Sequence, residues 1–276
     1  MLLLALDTST RQASVALCAE DLLLGEYTWQ IGNNHSVELL ERISRLLAEC
    51  GIPMQSLGAV AVATGPGSFN GARVAVATAK TLAFALDIPL VGISTLDIIA
   101  AQQQQWPGPI CAVLEAGRSE LYAACYFSEV AHAANEVSYK LHQLGDYLLD
   151  TPANLTPHLH RYLSERFAIP GKRELPSVLF CGEMSAASRK AFSEAMPEQC
   201  LLVSPLQAAR HASVLALLAY QRIQYGEMDD PLLLEPLYLR RPSITNSSRK
   251  QPLLGSKAQR TTGQTTTERE EGALHY

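Results

Sequence analysis

The stretch Thr64-Gly65-Pro66-Gly67-Ser68-Phe69-Asn70-Gly71-Ala72-Arg73-Val74-Ala75-Val76 decides how the chain is read. A run of small apolar residues, Ala59 to Ala63, leads into it and reads as a buried strand. An Ala-rich segment, Ala72 to Leu86, leaves it and reads as a helix. Between them, Gly65, Gly67, Gly71 and Pro66 make a rigid turn whose backbone is open to close approach. Strand, glycine loop and helix in that order is an α/β arrangement. Two uses of the loop stay open. Its N–H groups can cradle an anion at the positive end of the helix, or its glycines can simply let backbones pack tightly. The spacing is neither the dinucleotide fingerprint nor the P-loop pattern.

Upstream, Leu2 to Leu6 is apolar on both faces and reads as a central strand ending in Asp7-Thr8-Ser9-Thr10. Ala13 to Cys18 and Leu22 to Thr28 complete a three-stranded meander. Asn33-Asn34-His35-Ser36 can cap a helix that runs to about Cys50 and stops at Gly51, with Pro53 beyond. Its apolar residues, Val37, Leu39, Leu40, Ile43, Leu46, Leu47 and Cys50, cover about half the circumference, where one sheet needs a stripe of only about 100°. The Ala72–Leu86 helix is more extreme, with Arg73, Thr78, Lys80 and Thr81 as its polar side chains. Both helices are therefore expected to be covered on a second side, by a partner's helices or by the chain's own second half. Leu90 to Ile93 returns to the sheet. Ser94-Thr95-Leu96-Asp97 has capping-box spacing and opens a helix to about Gln105.

Pro107-Gly108-Pro109 breaks the chain. Beyond it, Ile110–Leu114, Leu121–Phe127 and Val178–Cys181 read as strands, and helices are expected near Ala186–Ala195 and Ala208–Tyr225. The strand-then-helix theme returns without a detectable sequence repeat. Residues 128–176 mix turn formers with weak periodicity and place no element. From Ser243 to Tyr276 polar residues dominate, which reads as a disordered tail. The expected organisation is a first lobe over 1–106, a second over 107–242, and the tail.

At 276 residues, 47% hydrophobic and 18% charged, the composition is that of an ordinary globular protein. A formal net charge of -5 argues against tight nucleic-acid binding by the chain alone. Six scattered cysteines without C-x-x-C spacing read as buried, reduced thiols. The apolar start, cut short by Asp7, reads as a strand rather than a signal peptide, and no run nears the about 20 residues that cross a bilayer. A cytoplasmic protein is expected.

Chemistry is sparse. Asp7-Thr8-Ser9-Thr10 after a buried strand can be the phosphate-facing turn of an actin-like ATPase or sugar kinase, or a plain strand end. No Gly-Gly pair exists to lie against adenosine, and Gly182 stands alone as a candidate. The seven histidines form neither H-x-x-x-H nor H-E-x-x-H; His158 and His160 are expected in a solvent-facing loop. No G-x-S-x-G surrounds a serine. No set of residues forms a catalytic site or a metal site.

With these pieces in place, the chain resembles the TsaB family of tRNA threonylcarbamoyladenosine biosynthesis proteins. The resemblance rests on Leu4-Ala5-Leu6-Asp7-Thr8-Ser9-Thr10, His35-Ser36-Val37-Glu38, the Gly65–Arg73 loop and Ile88–Leu96. A closing motif, Asp230-Pro231 and Glu235–Arg240, completes it. It spans about residues 1 to 241 and is loose from 128 to 200. Asn70 and Glu115 depart from the usual Thr and Asp, and the tail has no counterpart.

The resemblance implies an actin-like ATPase (ribonuclease H-like) fold in two lobes, each a mixed sheet flanked by helices. It implies a non-catalytic dimerisation and activating subunit without metal or cofactor. The partner would be a TsaD-type catalytic subunit that modifies adenosine 37 of tRNAs reading ANN codons. A TsaE-type ATPase would join near the junction, and tRNA and any nucleotide would be met only through the complex. The interface would draw on His35, Leu39, Leu40, Ile43 and Leu47 of the first helix and Arg73, Val76 and Lys80 of the second, the two cations facing partner carboxylates. The same helices would serve self-association of the free chain. The alternative is an actin-like ATPase or kinase that binds nucleotide through Asp7, Thr8, Gly65, Gly67, Ser68 and Gly71. A metallopeptidase is a third reading, opposed by the missing ligands.

Overall fold

A computed structural model describes residues 1–20, 22–32, 35–133, 136–167 and 176–240; the expected tail lies outside them. The first half is β1 (Leu2–Asp7), β2 (Gln12–Ala19), β3 (Leu22–Gln30), α1 (His35–Glu49), β4 (Ala59–Gly65), α2 (Phe69–Leu86), β5 (Leu90–Ser94) and α3 (Thr95–Ala101). The second half is β6 (Ile110–Gly117), β7 (Glu120–Ala133), β8 (Glu136–Asp150), α4 (Pro152–Phe167), β9 (Val178–Glu183), α5 (Ala186–Ala195), β10 (Cys200–Leu202) and α6 (Ala212–Gln224).

The sheets are ordered β3-β2-β1-β4-β5 and β8-β7-β6-β9-β10. In each, the first strand is antiparallel to the second and parallel to the fourth. The halves thus share one topology, strand for strand and helix for helix, which is the two-lobed actin-like ATPase fold. The theme echoed in the sequence is a repeat of topology without a repeat of side chains.

Alternation along β1 sets the layers. Leu4 and Leu6 face one side with Val60 and Val62 of β4 and the inner stripes of α1 and α2. Leu3 and Ala5 face the other side, where α6 covers them with Ala212, Leu215, Ala216 and Ala219. The second sheet is built alike: Cys111, Val113 and Phe180 meet α4 and α5, while Ile110, Ala112 and Leu114 meet Leu96, Ile99 and Ala100 of α3. Each half therefore lends its last helix to the seam between the sheets, α6 lying on the first sheet and α3 on the second. Met1–Arg241 is one compact unit.

Several elements differ from expectation. Between 128 and 167, a region without a sequence assignment, β7 and β8 form a long hairpin and α4 follows. His158 and His160 lie on α4, not in a loop. Helix α3 stops at Ala101 because Gln103, Gln104 and Trp106 continue in turns, and α6 starts at Ala212, after a short 3-10 turn at Pro205–Gln207. Ser94 caps α3 by accepting from Leu96 N, but Asp97 does not close a capping box. Its Oδ1 instead accepts from the phenols of Tyr126 (2.6 Å) and Tyr147 (3.0 Å).

Burial pushes the Asp97 pKa up, against the two phenols and Arg222, which pull it down. A carboxylate whose folded pKa is raised contributes stability below its unfolded pKa, lost as pH rises through the folded one. Asp97→Asn keeps an acceptor for the phenols and cannot ionise. Its melting temperature relative to wild type is therefore expected to climb between pH 4 and pH 8. A difference that stays flat with pH would show that Asp97 titrates as it does in the unfolded chain.

After α6 the chain runs back over the first sheet as a strap, residues 228–240. Asp229 N donates to Leu90 O (2.8 Å), and Asp229 Oδ2 accepts from Gly92 N (2.8 Å). Farther on, Leu237 N donates to Thr64 O (2.8 Å), and Arg240 reaches the other half at Ala116 O (3.0 Å) and Glu120. The open edge of β5 is thereby covered. No helix among the described residues is long and apolar enough to cross a membrane.

Candidate functional site

The ends of β1 and β4 bring together the residues that the sequence singled out as phosphate-facing. Asp7 turns back on its own loop, accepting from Ser9 N (2.8 Å) and Ser9 Oγ (2.6 Å) through Oδ1. Thr8 Oγ1 donates to Gly71 O (2.7 Å), and Ser68 N donates to Ser9 O. Ser68 Oγ caps α2 by accepting from Gly71 N (3.2 Å). The glycines are explained by this contact. A Cβ on Gly67 would stand 2.0 Å from Ser9 O, and one on Gly71 2.0 Å from Thr8 O. Close backbone packing accounts for Gly67 and Gly71, and at the helix start Ser68 N and Gly71 N are bonded within the chain.

The other Asp7 oxygen is held by a residue the sequence reading did not single out. Arg210, just before α6, is 1% exposed. Its Nε donates to Asp7 Oδ2 (2.8 Å), its Nη1 to Glu183 Oε1, and its Nη2 to Thr10 Oγ1 (2.9 Å) and Gln12 O (2.8 Å). Thr10 Oγ1 also donates to Glu183 Oε1 (2.9 Å). One guanidinium thus ties the end of β1 in the first half to the end of β9 in the second. Burial opposes its charge, but Asp7 and Glu183 outweigh that and raise its pKa further. Gly182 and Glu183 also border a cavity of about 360 Å³, shared with Gln12, Arg189, Leu206 and Ala209. Glu115 has a structural task too: Oε1 accepts from Ser185 N (2.8 Å) and Ser188 Oγ (2.7 Å) at the start of α5. Among the described residues, no cluster of three or more His, Cys, Asp or Glu could hold a metal ion.

The helices expected at the interface are sorted by the sheet beneath them. Leu39, Ile43 and Leu47 of α1 and Val76 of α2 lie in the chain's own core, a correction to their placement on an outer face. Their side chains complete the layer over β1 and β4. Leu40 (52% exposed) points outward, with Val37 and Phe84. The side chain of His35 lies outside the described residues. Arg73 and Lys80 have partners within the chain. Arg73 sits over the Phe69 ring at 4.1 Å, and its Nε donates to the Tyr238 hydroxyl (3.1 Å). Lys80 Nζ donates to Leu232 O (3.3 Å) and Leu234 O (3.0 Å).

This geometry can be set beside known proteins. A family profile described as TsaD, tRNA N6-adenosine threonylcarbamoyltransferase, matches residues 30–246. The chain belongs to this family. Within it, the chain is a homologue of proteins named tRNA threonylcarbamoyladenosine biosynthesis protein TsaB. The Bacillus subtilis protein of that name is 39% identical over 126 residues, 46% of this chain and 55% of the relative. The Haemophilus influenzae one is 38% identical over 133 residues, 46% and 53% of the two chains. The chain spans about half the length of the curated relatives it matches. The solved structure of YeaZ from Pseudomonas aeruginosa superposes with a TM-score of 0.65 at 28% identity, covering 86% of this chain and 99% of that one.

Proposed function

We propose that this chain is the non-catalytic dimerisation and activating subunit of the complex that forms N6-threonylcarbamoyladenosine at position 37 of tRNAs reading ANN codons. It pairs with a TsaD-type catalytic subunit through the outward faces of α1 and α2, and a TsaE-type ATPase joins near that junction. The chain meets tRNA only through the complex, carries no cofactor of its own and works in the cytoplasm.

The observation that carries this reading is the state of the turn after β1. In an ATPase of this fold a carboxylate there serves a metal ion and phosphates. Here Asp7 is salt-bridged to the buried Arg210 and accepts from Ser9 N and Oγ, while Thr8 Oγ1 and Ser68 N donate to backbone carbonyls. A net charge of -5 further supports contact with tRNA through another subunit.

The test is co-purification with the TsaD-type protein of the same organism, followed by threonylcarbamoyl-transfer assays with and without this chain. A stable pair whose activity depends on the chain, which is itself inactive, is expected. Saturable ATP turnover by the isolated chain, lost in Asp7→Ala, would overturn the proposal in favour of the ATPase alternative.

A further inference from the structure

Residues 230–234 of the strap form a single turn locked at both ends. Leu232 N donates to Asp230 Oδ1 (2.7 Å), and Leu233 N (3.0 Å) and Leu234 N (2.9 Å) both donate to Asp230 O. Lys80 Nζ closes the far end through Leu232 O and Leu234 O. Leu234 turns inward, against Gly92. Leu232 and Leu233 turn outward and stay 76% and 75% exposed. The turn serves the fold by seating Leu234, but the exposure of its two adjacent leucines does not, since apolar side chains gain nothing in water.

Continuity and charge say what covers them. At about 100° per residue, Arg73, Lys80 and Phe84 fall on one side of α2, the side that the strap lies along. Phe84 is 77% exposed one turn beyond Lys80. Lys80 ties the turn to α2, so the exposed Phe84 ring, one helical turn beyond Lys80, and the exposed Leu232 and Leu233 lie at the same edge of α2. Asp230 and Glu235 on the turn and Asp87 at the end of α2 are exposed, Glu227 is paired with Arg222 (3.6 Å), and the Lys80 ammonium donates to carbonyls. The rim is acidic.

We infer that the capped turn is a second half of the partner-binding surface, docking into an apolar depression bordered by lysine or arginine on the same protein that covers α1 and α2. Lys80 acts as a positioning residue, shaping the turn rather than pairing with a partner carboxylate. This inference rests on the pairing proposed above.

Binding of the purified TsaD-type subunit, measured by calorimetry, separates the two. Leu40→Asp tests the pairing itself. The double variant Leu232→Asp, Leu233→Asp adds charge at positions already in water, so its circular dichroism and melting curve are expected to match wild type. It is expected to bind at least tenfold more weakly, with Lys80→Met in between and Lys80→Arg near wild type. If Leu40→Asp weakens binding and the double variant binds within twofold of wild type, the turn is not part of the surface and the pairing stands. If wild type does not bind, the pairing fails and this inference with it.

Discussion

Replacing Arg210 by Met is expected to cost about 3–5 kcal/mol of folding stability, the range for breaking one side of a buried ion pair. In a chain of this size that lowers the melting temperature by roughly 10 °C. The loss comes from what stays behind rather than from the missing attraction. Asp7 is 2% exposed, and without the guanidinium its Oδ2 keeps a charge with no donor in reach. Thr10 Oγ1 and Gln12 O lose donors at the same time, and Glu183 loses the partner that holds it to the first half. Lysine at 210 should recover only part of the loss, because a compact ammonium cannot reproduce a planar fork with acceptors on two sides. Removing the abandoned charge should do better, so Asp7→Asn combined with Arg210→Met is expected to be more stable than Arg210→Met alone. Thermal and urea melts of the three variants decide the matter. A loss below about 1 kcal/mol for Arg210→Met would mean that the network is solvated and carries no structural weight.

Val76→Glu is expected to fail at folding, before any question of pairing arises. Val76 is 3% exposed and packs in the layer between α2 and the first sheet. A carboxylate there is either ionised without a partner or protonated at a cost, and either way several kcal/mol are lost. Soluble yield and far-ultraviolet circular dichroism report it directly. Leu40→Asp supplies the contrast, since Leu40 is half in water already and the variant should fold as wild type does. If Val76→Glu folded normally and lost only pairing, α2 would be rotated from the orientation described, with Val76 on its outer face.

Much of the first half was legible because its chemistry is local. A strand apolar on both faces, a glycine loop and a helix stop at Gly51 each need only a few residues to declare themselves. The faces of α1 and α2 were not legible for the same reason. In α1, Leu39 and Leu40 are neighbours in sequence, and only the sheet beneath decides that one is covered and the other is not. In α2, alanines on every side leave no contrast to read. Arg73 and Lys80 looked free because their partners, Tyr238 and the 232–234 carbonyls, are more than 150 residues away. Arg210 met the same difficulty with Asp7. Helix α4 did carry a signal, Leu155, Leu159, Tyr162 and Leu163 on one buried stripe, but Pro152 and Pro157 punctuated it like a loop. The long β7–β8 hairpin is solvated over much of its far half, so it lacks the alternation that marks a strand.

The placement of α3 and α6 bears on how the chain can be divided. Cut after residue 106, the first sheet would bare Leu3, Ala5, Ala16, Ala61 and Ala63, the face that α6 covers. The second sheet would bare Ile110, Ala112 and Leu114, the face that α3 covers. Each half thus completes the other's core, and each expressed alone is expected to carry a bare apolar sheet face and to aggregate.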